Sequence, residues 1–334
     1  MTLVFVVGNS RSGTTMMGRI LNNHPRVHTF PELHFFEQLW SSADRNRQLT
    51  PEEAADLAAL LLNISREGYF ARRHVADFLD EARSLLQREV SGHMVASDVF
   101  AAVVRYEVQR NGKEMGCDQT PQNVFYIKEI LELFPEARFV NLVRDPRDVL
   151  LSQKRKWRRR FLGGSHATWY ETIRAWVNYH PYTISRLWVA AVRAGTSVQH
   201  PHVLTVRFEH LLADPDSVIA EVCRHVGITF FPELKEVPQV GSSSGQDRSE
   251  VKGINAGRAQ SWARGGLTAT EIWICQRVCG QLMKTLGYEP APVRCHPIMG
   301  LLYAVLWPLK LGAAFLMNLH RMKNIVETIR KRLS

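Results

Sequence analysis

The apolar positions of this chain form short buried runs that alternate with helical stretches. Residues 3–7 are an uninterrupted apolar run, followed by a loop bounded by two glycines and by a helix that begins near residue 14. Residues 138–152 repeat this order of strand, loop and helix, and 203–211 is a late strand that runs into a helix. Strands that alternate with helices in this way predict an α/β fold with a central parallel sheet.

Further helices are predicted between and after these units. They are expected at 51–62, 75–88, 100–110, 124–133 and 268–286. The first two, of which the earlier has Thr50 as a candidate N-cap, are expected to form a helical cap over the cleft. Residues 238–261 form a long, charged, Gly/Ser-rich loop, and a loop of this length inside a domain is usually functional or disordered.

The C-terminal segment has a different composition and predicts a tail, at 291–334, that follows a domain at 1–290. Residues 297–317 carry a single charge, Lys310, and a basic stretch follows them. The length suits a membrane span, but Lys310 near its middle adds ~3 kcal/mol to the cost of insertion. One helical stripe is apolar: Ile298, Leu301, Leu302, Val305, Leu309 and Leu316. An in-plane interfacial helix is therefore favoured, with a membrane span and packing on protein as alternatives.

The loop after the first strand has the features of an anion-binding site. A strand, a tight loop and a helix N-terminus favour phosphate, because free backbone N–H groups and the helix dipole converge there. Gly8 and Gly13 have the Walker A spacing, but Thr14 stands where that motif has Lys, and Arg11 supplies the cation instead. The loop is therefore predicted to bind a phosphate other than those of a Mg²⁺-bound nucleoside triphosphate.

The unit at 138–152 supplies a second candidate anion site. Asp145 is the predicted N-cap of its helix, Pro146 suits the first helical position, and Asp148 is placed to close a capping box. Arg144 then ends the strand and Ser152 lies two turns into the helix, so both are expected to reach one anion at the carboxyl edge of the sheet. An ion pair between Arg144 and Asp148 is the structural alternative.

These two segments resemble the phosphate-binding motifs of sulfotransferases that use 3′-phosphoadenosine-5′-phosphosulfate (PAPS). The two segments occur in the family's order, ~130 residues apart. The loop with Arg11 resembles the loop of the branch that includes bacterial, carbohydrate and tyrosylprotein enzymes. The resemblance covers about residues 1–290 and implies a P-loop-like three-layer fold. The chain departs from the family at Gln119, where Lys is usual, and at Phe208, where Tyr is usual.

The resemblance also implies which residues bind the cofactor. The 5′-phosphosulfate loop comprises Ser10, Arg11, Ser12, Gly13, Thr14 and Thr15. The 3′-phosphate is expected at Arg144 and Ser152, with Arg258 in the long loop as a second contact. Phe208 is expected to pack near the adenine or in the core.

The same resemblance supplies a candidate general base. Residues 30–37 follow the first helix and look like the element whose Glu takes the acceptor proton in bacterial and tyrosylprotein sulfotransferases. Glu32 is therefore the predicted base, and His34 is the alternative. Arg11 is expected to stabilise the charge that develops on the leaving oxygen, and no metal is expected to be required.

We therefore predict an enzyme that transfers a sulfuryl group from PAPS to a hydroxyl acceptor, such as a carbohydrate or a glycolipid. A small-molecule kinase or NTPase on a related fold is the alternative, and a non-enzymatic binding protein is a third class. The acceptor's identity and the oligomeric state are left open by the sequence.

Composition adds the expected partners and compartment. The 334 residues carry a formal charge of +10, which suits an anionic cofactor, an acidic acceptor or an anionic membrane surface. Nucleic acid is not expected, since no zinc-finger, RRM or helix-turn-helix pattern accompanies the charge. Five cysteines predict buried thiols in a reducing compartment, and a first strand at residue 3 leaves no room for a signal peptide. A cytoplasmic enzyme, peripheral on the membrane through its tail, is expected.

Overall fold

A parallel sheet forms the centre of the computed structural model, which describes residues 1–69, 72–89, 94–161, 168–239, 248–319 and 325–333. The strands are β1 (Leu3–Gly8), β2 (Val27–Phe30), β3 (Gln48–Leu49), β4 (Met94–Val95), β5 (Met115–Asp118), β6 (Arg138–Val143), β7 (Val203–Arg207), β8 (Pro238–Gln239) and β9 (Arg248–Lys252). Five of them form the sheet in the order β2-β5-β1-β6-β7, and every neighbouring pair is parallel. The predicted α/β fold with a parallel sheet is confirmed.

Helices cover both faces of this sheet. The first six are α1 (Thr14–Asn22), α2 (Pro51–Glu67), α3 (Leu79–Glu89), α4 (Ala96–Arg110), α5 (Ile127–Leu133) and α6 (Pro146–Lys154). The others are α7 (Trp169–Val177), α8 (Pro181–Ser197), α9 (Phe208–Ala213), α10 (Pro215–Val226), α11 (Ala269–Thr285), α12 (Pro297–Asn318) and α13 (Ile325–Leu333). A short π-helix at Phe35–Leu39 follows β2.

The central strand β1 contributes to the core on both sides of the sheet, because successive side chains of a strand point to opposite faces. Phe5 and Val7 belong to one buried cluster, whereas Val4 and Val6 belong to another. All six residues of β1 are buried, as expected for a strand covered by helices on both faces. The chain passes to one side of β1 first and to the other side later, so the carboxyl end of β1 lies where open α/β sheets bind ligands.

Several predicted element boundaries differ from the observed ones. Thr50 caps α2 as predicted, Glu53 completes a capping box that was not predicted, and α2 extends to Glu67. The predicted helix at 75–88 is divided into a 3-10 segment, Arg72–Phe78, and α3. The 238–261 segment, predicted to be one loop, contains the antiparallel pair β8–β9, because the backbone of residues 238–239 pairs with that of 248–252. Residues 240–247 of that segment lie outside the described residues.

The described part of the tail contains the helices α12 and α13, and both contact the rest of the chain. Among the described residues, one helix, Pro297–Asn318, is long and apolar enough to span a membrane by length and composition, and none of its apolar window is buried. The division into 1–290 and 291–334 stays a prediction.

A close approach between β1 and β6 fixes the end of the central strand. Gly8 has φ +142°, and a Cβ at this position would lie 2.3 Å from the backbone oxygen of Leu142. Only a residue without a side chain fits both the dihedral angle and the space. This contact sets where the loop between β1 and α1 leaves the sheet.

We expect Gly8→Ala to lower the free energy of unfolding by about 3 kcal/mol or more, because strain at positive φ adds to a backbone clash. Gly227 is the matched control, since it has φ +81° and open space around its Cβ. Gly227→Ala should cost only the strain, about 1 kcal/mol. Equilibrium urea unfolding measures both, and equal losses would contradict the close approach.

Candidate active site

The loop between β1 and α1 is shaped by two residues with positive φ. Arg11 has φ +75° and Gly13 has φ +102°. A left-handed conformation is uncommon for a residue other than Gly, and such strain occurs most often at ligand-binding sites. Gly13 precedes α1 without a side-chain cap, so the first backbone N–H groups of the helix are available to an anion.

The segment after β6 is held by its own capping residue. Asp145 accepts a hydrogen bond from the backbone N–H of Arg147 at 2.8 Å, and Pro146 occupies the first helical position, as predicted. The predicted capping box is wrong: Asp148 accepts instead from the backbone N–H of Trp262 at 2.9 Å. This bond ties the segment after β9 to the start of α6.

Arg144 brings three separate parts of the chain together. Its guanidinium donates to the backbone oxygen of Arg11 at 3.2 Å and to that of Arg258 at 3.1 Å. It also lies 4.6 Å from the ring centre of Phe208 and 3.7 Å from Asp148. The structural alternative, a pair with Asp148, therefore exists alongside the contacts to the predicted site residues.

A direct bond joins the two predicted anion motifs. Nε of Arg11 donates to Oγ of Ser152 at 3.0 Å. A cleft of about 200 Å³ lies beside this bond. Its lining includes ten of the predicted site residues: Ser10, Arg11, Gly13, Thr14, Thr15, Glu32, Arg144, Ser152, Phe208 and Arg258. Ser12 is fully buried, and His34 is reached through Glu32.

The cleft is strongly cationic. Arg11, Arg144 and Arg258 line it together with Arg19, which the sequence reasoning missed. Arg19 lies one helical turn after Thr15 on α1, and this spacing is a signal that was present in the sequence. Glu32 and Asp148 are the acidic side chains of the lining, so arginines outnumber carboxylates and the cleft suits an anion.

Burial and the Arg144 charge act in opposite directions on the pKa of Asp148. Burial raises the pKa of this carboxyl, while the Arg144 charge and the hydrogen bond from Trp262 partly offset that effect.

Phe208 is 3% exposed and packs so closely on the loop that a Cβ on Gly13 would lie 2.4 Å from its ring. Phe208 is thus both a core residue and part of the cleft wall.

The candidate base is one member of a group of three ionisable side chains. Oε2 of Glu32 lies 3.3 Å from Nε2 of His34, and Nδ1 of His34 lies 2.5 Å from Oε1 of Glu37. The Glu32 side chain is 40% exposed, whereas that of Glu37 is 7% exposed. Glu37 was not predicted, although its position three residues after His34 was a signal.

The charges of this group stabilise one another. Burial alone would lower the pKa of His34, but its hydrogen bonds to Glu32 and Glu37 raise it to about 9. Burial would raise the pKa of Glu37, but the hydrogen bond and charge of His34, with a smaller effect of Arg332, hold it below its ordinary value. His34 is therefore an imidazolium, and Glu37 a carboxylate, at neutral pH.

The backbone of His34 is also fixed. Its φ is +54°, and its N–H donates to Oγ1 of Thr120 at 3.2 Å. The hydroxyl of Thr120 donates to the buried Asp118 at 2.6 Å. The end of β5 therefore holds the segment that carries Glu32 across the cleft from the loop.

Arg147 is a further residue that the sequence reasoning missed. It is 3% exposed, forms a two-point pair with Asp145 at 3.0 and 2.7 Å, and lies 3.9 Å from the ring centre of Trp262. It also donates to Oε1 of Gln276 at 3.1 Å. Arg147 thus fastens the cleft wall to α11.

These features define a cationic cleft at the carboxyl edge of a parallel sheet, and comparison with known proteins identifies the family. Residues 4–233 match the Sulfotransferase family, and the chain belongs to it. The chain is 26% identical to carbohydrate sulfotransferase 5 of Mus musculus over 86% of this chain and 80% of that protein. It is 25% identical to nodulation protein NoeE of Sinorhizobium fredii over 86% of this chain and 66% of that protein.

A solved structure has a similar fold. The sulfotransferase domain from the curacin biosynthetic pathway has a TM-score of 0.50 and 18% identity, and the match covers 86% of this chain and 98% of that one. The predicted family, fold and enzyme class are confirmed. The kinase or NTPase alternative is not favoured, because the match is to a sulfotransferase family.

We expect NMR titration to show the His34 imidazole losing its proton near pH 9, because Glu32 and Glu37 stabilise its charge. His28, on the neighbouring strand β2, is the internal control, since burial lowers its pKa below 6.5. Protonated His34 stabilises the fold below pH 6.5, and this contribution is lost as the pH rises through about 9. His34→Gln should remove that loss, and titration of His34 below pH 6.5 would contradict the paired geometry.

Proposed function

We propose that this enzyme transfers the sulfuryl group of PAPS to a hydroxyl of a carbohydrate or glycolipid, with Glu32 as the general base. The observation that carries the proposal is the single cleft in which Arg11, Ser152 and Arg144 meet, with Glu32 in its wall. Membership of the Sulfotransferase family supports the reaction class, and the cationic lining supports a donor with several phosphate groups.

The buried polar atoms of the site fit such a donor. Among the described residues, none provides a hydrogen-bond partner for Nε of Arg144 or for Oγ of Ser12, although both atoms are buried. Buried donors without partners are costly and are usually satisfied by a ligand or water. We assign the 5′ end of PAPS to Ser10, Arg11, Ser12, Gly13, Thr14 and Thr15, and the 3′-phosphate to Arg144, Ser152 and Arg258.

The donor brings an activated sulfuryl group, and the chain's residues perform the remaining work. As the new bond forms between the acceptor oxygen and sulfur, the bond from sulfur to the bridging oxygen breaks, and 3′,5′-bisphosphoadenosine leaves. Arg11 and the N–H groups at the start of α1 stabilise the negative charge that develops on the bridging oxygen. The acceptor's proton passes to the Glu32 carboxylate.

Glu32, rather than His34, is the base that this arrangement supports. An imidazolium whose two ring nitrogens both donate to carboxylates has no lone pair with which to accept a proton. His34 is paired in this way with Glu32 and Glu37. Glu32 is accessible from the cleft, so His34 serves to orient it.

We further propose that the enzyme binds an anionic membrane surface on the cytoplasmic side through α12, and that a membrane-borne glycan or glycolipid is its acceptor. The polar residues of α12 face the protein: Trp307 donates to Oγ1 of Thr183 at 3.2 Å, and Nζ of Lys310 donates to the backbone oxygen of Tyr179 at 3.0 Å. The charge of Lys310 therefore lies on the protein side of α12, and the opposite side of the helix is apolar.

This outward side is defined here as the apolar face. It comprises Ile298, Leu301, Leu302, Val305, Leu309 and Leu316, each between 46% and 72% exposed. Trp169, Ile173 and Trp176 on the neighbouring α7 are also more than half exposed. Because α12 is hydrogen-bonded to α7 and α8 along its length, an in-plane position at the membrane interface fits it better than a span.

The prediction that no metal is required is part of this proposal. No cluster of three or more His, Cys, Asp or Glu side chains that could hold a metal ion occurs in the parts of the chain that the structure describes. The fixed charges of the arginines would take the role that Mg²⁺ has in phosphoryl transfer.

We expect the enzyme to bind 3′,5′-bisphosphoadenosine with micromolar affinity in the presence of EDTA, measured by titration calorimetry. Arg144→Ala should weaken this binding by tenfold or more, because a charge-assisted contact contributes about 1.5–3 kcal/mol. Glu32→Gln should preserve binding but lower turnover of labelled PAPS by about 10²–10⁴-fold, since it removes the general base alone.

Two outcomes would overturn this assignment. Tight binding of ATP with Mg²⁺, together with no binding of 3′,5′-bisphosphoadenosine, would favour the kinase alternative. Retention of wild-type turnover by Glu32→Gln would exclude Glu32 as the base. Glu236→Gln, at an exposed carboxylate outside the cleft lining, is the control and should change neither property.

For the membrane proposal, we expect the full chain to float with vesicles that contain phosphatidylserine. Leu301→Glu and Leu309→Glu should each lower the bound fraction by tenfold or more, because burying one Leu contributes about 1.5–3 kcal/mol. Phe231→Glu is the control, since Phe231 is 40% exposed but lies outside the apolar face. Absence of vesicle binding together with a stable dimer would show that a second copy covers the apolar face instead.

A further inference from the structure

A chain of charged contacts runs from the cleft to the far end of the sequence. Glu32 contacts His34, and His34 contacts Glu37, as described above. The second carboxylate oxygen of Glu37 accepts a hydrogen bond from Nη2 of Arg332 at 3.0 Å. Arg332 lies on α13, 295 residues later in the chain, so a residue of the tail contacts a neighbour of the candidate base.

The position of α13 is fixed by two contacts that precede Arg332 along the helix. Nζ of Lys331 donates to the backbone oxygen of Phe125 at 3.0 Å and pairs with Glu129. One turn earlier, Glu327 accepts a hydrogen bond from the Ser42 hydroxyl at 2.8 Å. These bonds set both the rotation and the register of the helix, so the guanidinium of Arg332 is directed at Glu37.

The ion pair compensates a charge that would otherwise be costly. The Glu37 side chain is 7% exposed, and a buried carboxylate is stable only when it is paired and hydrogen-bonded. Its partners are His34 and Gln38 on one oxygen and Arg332 on the other. If Arg332 were lost, protonation of Glu37 would become easier. A protonated Glu37 would no longer hold the His34 ring in its orientation through a charged hydrogen bond.

We propose that Arg332 is a positioning residue for catalysis, which through Glu37 and His34 holds the Glu32 carboxylate in the orientation that accepts the acceptor's proton. Docking of α13 then completes the active site, so turnover depends on the tail. This inference rests on the proposed role of Glu32 as the base.

The experiment compares three variants of the full chain: Arg332→Gln, Arg332→Lys and Arg330→Gln. Arg332→Gln should lower kcat by about 10- to 100-fold, because a small displacement of the base is enough to disturb proton transfer. The affinity for 3′,5′-bisphosphoadenosine should stay within about twofold of wild type, since Arg332 does not line the cleft in which the nucleotide is proposed to bind. Arg332→Lys, which keeps the charge, should restore most of kcat.

The pH profile separates a positioning role from a structural one. Without the Arg332 charge the pKa of Glu37 rises, so the acidic limb of the kcat profile should move to higher pH in Arg332→Gln. Arg330→Gln is the matched control, because Arg330 is exposed on the same helix, and it should leave the limb unchanged. Arg332→Lys should return the limb towards its wild-type position.

The outcomes distinguish this inference from the proposed function. If Glu32→Gln abolishes turnover while Arg332→Gln behaves like Arg330→Gln, the positioning role is wrong and the base assignment stands. If Arg332→Gln lowers the melting temperature but leaves the acidic limb in place, Arg332 is structural. If Glu32→Gln retains turnover, the proposed base is itself wrong.

Discussion

The close parallel pairing of β1 with β6 is the constraint on which the site depends. Gly8 meets the backbone of Leu142 with no room for a side chain, so the two strands end side by side. The loop after β1 and Arg144 therefore leave the sheet at the same edge, although they are far apart in sequence. The bond from Arg11 to Ser152 and the contact from Arg144 to the loop are consequences of this shared edge.

Around that edge the chain concentrates positive charge without fully neutralising it. Some arginines have carboxylate partners, as Arg147 has Asp145, and these pairs fasten helices together. In the cleft, Arg11 donates to the Ser152 hydroxyl, and Arg144 donates to two backbone oxygens and lies 3.7 Å from Asp148. Backbone oxygens orient a guanidinium but do not cancel its charge. The same geometry thus keeps the arginines in place and leaves their field available to an anionic donor.

The tail reverses the usual polarity of a surface helix. In α12 the groups able to hydrogen-bond, such as Trp307 and Lys310, are turned to the protein and satisfied there, and Leu side chains face outward. In α13 charged groups also face inward, with Lys331 and Arg332 bonded to the body of the enzyme. One segment therefore combines an outward apolar surface with an inward electrostatic contact, and this links the surface of the enzyme to the group that contains Glu32.

The sequence alone determined the features that are encoded locally. The loop after β1, the Asp145 and Thr50 caps and the order of strands and helices each depend on residues within a few positions of one another. Tertiary structure decided the rest. The Glu37 contact to Arg332 spans 295 positions, and Asp148 bonds the backbone of Trp262 rather than closing a capping box on its own helix. Such contacts depend on which distant segments meet when the sheet and its helices pack, and no short-range pattern of residues specifies that.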